Sequence, residues 1–259
     1  MGLDIYAGTL TRYYARNWKT AVQQWAEKNG FKVKTVSSDG EEIQEEAIDP
    51  EGVQRYVEGW RDFVLNAVHQ DGGEPYLPWV EDNEKPYYTD KPDWEAWAAL
   101  KLYAACKLYE KEVPAVFRKH EKFEDHEIAA RIADDPNARW SLFLGAVLWL
   151  PLKETLAFRG PMPTNNTEMI ASTGLLRAEL NAINNMGWQA DEREICRWAS
   201  SEGYPADAAF KPDGTIVTKE DFEPHTEYDT ESLAKFAYSM LWQAVRFSEE
   251  HNVPIILDY

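Results

Sequence analysis

The sequence predicts a helix-rich α+β fold in a single globular domain, residues 1–259, around a small sheet that includes the N- and C-terminal strands. Three observations predict it. Leu3 to Leu10 alternates apolar with other residues, the two-residue period of a half-buried strand. The chain closes on a second apolar run, Val253 to Tyr259. Between the two, several stretches carry apolar residues at three- and four-residue steps, the spacing of amphipathic helices that cover a sheet.

Taken in order, Gly8 and the following Thr-Leu-Thr-Arg break the first strand, and Tyr13, Tyr14 and Trp18 arrive within six positions. A helix follows from Thr20 to Asn29, stopped by Asn29-Gly30. Phe31 to Val36 alternates as a strand with one wet face, and Ser37 to Asp49 reads as a solvated loop of turn residues and glutamates. Asp49-Pro50 opens a helix, an N-cap followed by proline at the first helical position, with Val53, Tyr56, Val57, Trp60, Phe63, Val64 and Val68 on its buried face. Asp71-Gly72-Gly73 ends it.

A long aperiodic connection runs over 74–91, rich in proline and aromatic residues; connections of this length inside a compact domain often carry function. Asp90 or Asp93 caps the next helix, which reaches about Glu112 with Trp94, Trp97, Ala98, Leu102, Cys106 and Tyr109 on a broad face. The charged stretch from Phe117 to Asp135 holds a weaker helix around Glu124 to Ala133. Residues 142–172 read as two or three antiparallel strands broken by the turn chemistry of Arg159 to Asn166. Ser172 or Thr173 then caps a helix with Leu175, Leu176, Leu180, Ile183 and Met186 on one side, and a short helix covers Asp191 to Ser200. Lys211-Pro-Asp-Gly214 marks a surface hairpin. The last helix, about Glu227 to Glu250, delivers the closing strand.

Composition bounds the function. With 44% apolar residues in 259, a substantial core forms and the disordered class is excluded. A net charge of -18 repels phosphate backbones, which argues against nucleic acid and anionic membrane and suits a basic protein partner or a cationic ligand. The longest apolar run, Leu142 to Leu152, is far short of the roughly twenty residues that span a bilayer. Asp4 stands where a signal peptide needs a basic and then apolar start, and Tyr6 stands where a myristoylation site needs Ser or Thr. Cys106 and Cys196 cannot build a disulfide framework and read as buried thiols. The expected compartment is the cytoplasm.

The sequence carries no Gly-x-Ser-x-Gly elbow, phosphate-binding loop, dinucleotide glycine pattern or Cys-x-x-Cys pair, so no cofactor is expected. The nearest approach to a metal motif is weak: His120 and Glu124 share a helix face only if the run is helical, and Glu124 stands where a zinc protease has its second His. The terminal strands give a sharper candidate. Adjacent pairing would place Asp4 and Asp258 together, with Arg12 near enough in sequence to neutralise one of them; a close carboxylate pair splits its pKa values as acid–base chemistry requires. The third candidate is the long loop, where Tyr76, Trp79, Tyr87 and Tyr88 mix with Glu81, Asp82 and Glu84. Aromatic faces beside carboxylates suit Lys and Arg side chains, and Tyr13, Tyr14 and Trp18 would extend that surface.

The opening Met-Gly-Leu-Asp-Ile-Tyr, Leu-Thr-Arg-Tyr-Tyr at 10–14, Thr-Asp-Lys-Pro-Asp-Trp at 89–94 and the closing Leu-Asp-Tyr resemble a bacterial family. That resemblance covers most of the chain and implies no activity, fold or site. The functional expectation therefore rests on the residues: an acidic cytoplasmic binding protein, rather than an enzyme, that engages a basic macromolecule. An inhibitor or immunity-type protein is its most concrete form. The alternative is a hydrolase-type enzyme using Asp4 and Asp258.

Overall fold

The computed structural model describes residues 2–31, 48–69, 76–205 and 225–259. The strand expected over 31–36 (apart from Phe31), the loop over 37–47, the helix stop at 71–73 and the hairpin at 211–214 lie outside those residues. In chain order the elements are β1 (Asp4–Ala7), α1 (Leu10–Tyr14), α2 (Ala21–Lys28), α3 (Pro50–Val68), β2 (Tyr88–Asp90), α4 (Asp93–Leu108) and β3 (Val116–Arg118). A 3-10 turn, Phe123–Asp125, then precedes α5 (Glu127–Asp134), α6 (Ser141–Leu144), β4 (Ala146–Leu150), β5 (Ala157–Pro161) and β6 (Thr167–Ser172). The chain ends with α7 (Thr173–Met186), α8 (Glu192–Ser201), β7 (Glu227–Asp229), α9 (Thr230–His251) and β8 (Ile255–Asp258). This is a helix-rich α+β fold whose main sheet holds both terminal strands. Two compact units emerge: residues 1–91, 139–181 and 241–259 make the first, and 92–138 with 182–240 the second.

The first unit is organised by a six-stranded sheet in the order β2-β1-β8-β4-β6-β5. β1 pairs antiparallel with β8, Ile5 opposite Leu257 and Asp4 opposite Asp258, and antiparallel on its other edge with β2. Tyr6, Ile256 and Leu148 form one row across β1, β8 and β4, and α3 covers that row with Val57, Trp60, Val64 and Leu65. Both faces of the central strands are buried, since Ile5 and Tyr6 are each fully covered, as are Leu148 and Trp149. Continuous apolar runs such as Ala146-Val-Leu-Trp-Leu150 follow from that double burial.

Several expectations are corrected here. The first strand is shorter than Leu3–Leu10: Thr9 accepts a hydrogen bond from the Arg12 N–H and starts α1, so Leu10 is helical. The apolar run from Leu142 is not one strand, because Gly145 adopts φ +71° and divides α6 from β4. β4 and β6 pair parallel rather than antiparallel, and of these three strands β5 and β6 form the antiparallel hairpin. On α3, Tyr56 and Phe63 are exposed although their spacing put them on the buried face. α4 begins without the side-chain cap expected from an aspartate, and Met186 of α7 and Trp94 of α4 are exposed. Cys106 is buried, whereas Cys196 is only half-buried. Asp49 caps α3 as expected, while Thr20 and Asp191, expected as first helical residues, stand one position earlier as the caps of α2 and α8, Thr20 in a reciprocal capping box with Gln23.

The second unit centres on α4, whose Ala96 to Cys106 stretch is almost wholly buried. Tyr103 stacks on Trp188 at 4.2 Å, and Trp198 and Tyr238 complete an aromatic nest around that indole. A two-stranded ribbon, β3 with β7, pairs Phe117 with Tyr228.

Candidate functional site

Opposed residues of an antiparallel pair project to the same side of a sheet, so Asp4 and Asp258 share a face. The register of β1 and β2 puts Lys91 next in the same row, and its Nζ lies 4.0 Å from Asp4 Oδ2. α1 folds back over this corner. Its Tyr13 hydroxyl donates to Asp258 Oδ1 at 2.5 Å, and burial pushes the Tyr13 phenol well above the ordinary tyrosine range, so it remains a donor at neutral pH. The sequence expectation of a meeting between the two aspartates thus describes the strand register, with Tyr13 and Lys91 as partners that the sequence did not indicate.

Arg12 goes elsewhere. Its Nη1 donates to the Lys85 carbonyl and its Nε to the Asn17 carbonyl, while the guanidinium lies 4.5 Å from the Tyr87 ring centroid. It ties α1 to the long loop instead of neutralising an aspartate.

Residues 76–90 divide into an anchor and a display surface. Trp79 is buried, and its Nε1 donates to Glu81 Oε1 at 2.7 Å. Glu81 is buried too, and accepts the backbone N–H groups of Leu10 and Thr11 at 3.2 and 2.8 Å. Those amides are the first two of α1, which no intrahelical carbonyl can satisfy, so Glu81 caps the helix from the loop. Burial raises the Glu81 pKa against the pull of its donors. Arg61 donates to the Trp79 carbonyl, Gln54 to the Glu81 carbonyl and Thr9 to the Asp82 carbonyl, fixing the loop backbone at three points. Glu81 and Trp79 are therefore internal struts, not contact residues. Asp82 spends its Oδ1 on the N–H groups of Glu84 and Lys85, which shapes the turn.

Tyr87 stacks on Tyr6 at 5.7 Å, and Tyr6 in turn contacts Tyr13 and Trp18 at 5.3 and 4.9 Å. The chain must come close here: a β-carbon on Gly8 would sit 2.4 Å from the Tyr6 hydroxyl. Tyr13, Tyr14, Trp18, Tyr76 and Tyr87 are half-buried and pack against the core, each with one side still accessible. Tyr88 is on the opposite side of its strand, with its hydroxyl on Asp90 and its ring 6.3 Å from Phe247. Leu77, Val80 and Glu84 are held out in solvent, Leu77 at 87% exposure.

His120 and Glu124 do not share a helix face. His120 sits in a turn at φ +66° beside Glu95, and Glu124 in the 3-10 turn pairs with Lys101. Among the described residues no group of three or more His, Cys, Asp or Glu side chains could hold a metal ion, and no helix is long and apolar enough to cross a membrane. Comparisons with protein-family models, curated proteins and solved structures give no match for this chain.

Proposed function

We propose that this chain is an acidic cytoplasmic binding protein that engages a basic macromolecular partner through the face made by α1, the first turns of α3 and the 76–87 loop, in the manner of an inhibitor or immunity protein. The observation that carries this reading is the construction of that loop. A buried Trp79–Glu81 anchor and three side-chain bonds to its backbone hold Leu77, Val80 and Glu84 outward beside half-exposed tyrosines. A preordered loop loses little entropy on binding, and an acidic surface accelerates encounter with a basic one. The net charge of -18 supplies the long-range field.

The test uses a polyarginine chain and measures association rates between low and high salt. The rate should fall at least about tenfold between 20 and 500 mM salt, and Glu84→Lys should lower it further at low salt. Rates that ignore ionic strength would contradict the reading.

A second reading, hydrolase-type chemistry, is favoured by one observation: Asp4 and Asp258 occupy opposed positions on one sheet face beside the Tyr13 phenol. In that reading Asp4→Asn abolishes turnover of a chromogenic ester or phosphodiester that the parent hydrolyses. The binding reading is preferred because Tyr13 and Lys91 account for the polar wiring of this corner.

A further inference from the structure

This inference rests on the binding reading and gives it an anchor point. A cavity of about 310 Å³ opens on the first unit, lined by Tyr14, Val53, Tyr56, Val57, Gly52 and Pro163. That volume is at the small end for ligand pockets and suits one long side chain. Its walls are apolar or aromatic, and none of the six residues is charged. Val57 and Pro163 are buried, Tyr14 is half-buried, and Tyr56 is 52% exposed with its hydroxyl 3.4 Å from Asn165 Oδ1.

A carboxylate stands at one rim. Asp49, which caps α3, holds its Oδ2 3.0 Å from the Gly52 N–H, and a β-carbon on Gly52 would meet that oxygen at 2.7 Å. Behind Tyr14 its neighbour Tyr13, whose ring centroid is 4.9 Å away, holds Asp258 through its hydroxyl, so that second carboxylate is one side chain removed from the cavity wall. Aromatic faces and an apolar floor beside a carboxylate are complementary to a long cationic side chain. By contrast, the groove between α3 and β5 carries Arg159 and lacks this pattern.

We propose that this cavity is the anchor site for an arginine side chain of the basic partner. The planar guanidinium is weakly hydrated and stacks on tyrosine faces, whereas a lysine ammonium is compact and strongly hydrated and loses more on entering an apolar slot. The aliphatic stem lies against Val53 and Pro163, and the guanidinium reaches the Asp49 carboxylate at the rim.

The experiment titrates the full chain, with its tyrosines isotope-labelled, with capped Gly-Ser-Arg-Ser-Gly and with the same peptide carrying lysine or citrulline at the centre. Nona-arginine serves as a second probe. The arginine peptide should shift the Tyr14 and Tyr56 ring signals, and the lysine and citrulline peptides should bind at least about fivefold more weakly. Tyr56→Ser, at a position 52% exposed, should weaken arginine-peptide binding by a similar factor, with the melting temperature measured alongside to show that the variant is folded. If nona-arginine binds in a salt-dependent way while Tyr14 and Tyr56 stay unmoved, or if lysine binds as well as arginine, the arginine site is overturned and the general binding reading stands. If no basic probe binds at low salt, both fall.

Discussion

Replacing Glu81 with alanine should destabilise the first unit by roughly 3 kcal/mol, the largest effect expected of any single change around the candidate site. The reason is arithmetic in donors. Three buried N–H groups, from Leu10, Thr11 and the Trp79 indole, lose their acceptor together. Each buried donor left unpaired costs about 1–3 kcal/mol, and part of the sum is returned because a carboxylate no longer has to be desolvated. For a chain of this size the melting temperature should fall by about 6–12 °C. Glu81→Gln keeps one acceptor oxygen in place and should lose less. Hydrogen exchange at the α1 amides supplies a local readout: Leu10 and Thr11 should lose protection first. A melting temperature unchanged within a degree or two would show that α1 does not depend on this cap.

The second large effect concerns pH. Glu179 of α7 is buried, and accepts from the Ser141 hydroxyl at 2.7 Å, from the Leu142 N–H at 3.4 Å and from the Ser141 N–H. It caps α6 as Glu81 caps α1, and the Trp149 indole closes the network on Ser141 Oγ at 2.9 Å. Burial pushes the Glu179 pKa up to about 7 even with those donors in place. An acid raised in the folded state binds its proton more tightly there than when unfolded, so its contribution to stability is complete below the unfolded value and is lost as pH rises. The loss runs from about pH 4.5 to about pH 7, and amounts to roughly 3 kcal/mol at the top of that window. Burial likewise raises Glu81 and Asp90, which adds to the same slope. Denaturant unfolding at pH 5, 6, 7 and 8 should show stability falling with pH in the parent and a clearly shallower fall in Glu179→Gln. The slope is the readout, so an overall loss of stability in the variant does not obscure it. Equal slopes in the two proteins would remove Glu179 as the titrating group.

Much of the fold was legible because local signals dominate it. Thr20, Asp49 and Asp191 sit before periodic apolar runs and cap helices where they stand. The pairing of the two ends was legible from their alternation and apolar character, including the register that opposes Asp4 to Asp258. What escaped the sequence is long-range. Nothing near Glu81 says that its partners lie seventy positions earlier, in α1, nor that Glu179 serves α6. A glutamate in a polar loop or on a helix reads as solvated unless its donors are known, so the sequence alone makes Glu81 a contact residue. Helical spacing also overstated the buried stripe of α3, because Tyr56 and Phe63 lie at the margins of the face that Val57, Trp60 and Val64 occupy. The parallel pairing of β4 with β6 depends on a connection that passes through β5, which periodicity cannot reveal.

The placement of both terminal strands and of the candidate carboxylate pair depends on β1 and β8 lying antiparallel with Asp4 opposite Asp258, since that register brings Asp258 to Tyr13. Nuclear Overhauser contacts across the two strands measure it directly. The structure requires cross-strand contacts for Ile5 with Leu257 and Tyr6 with Ile256, together with a Tyr13 ring contact to Asp258. A ladder displaced by one residue would turn Asp258 to the other face of the sheet, and that result would contradict the account.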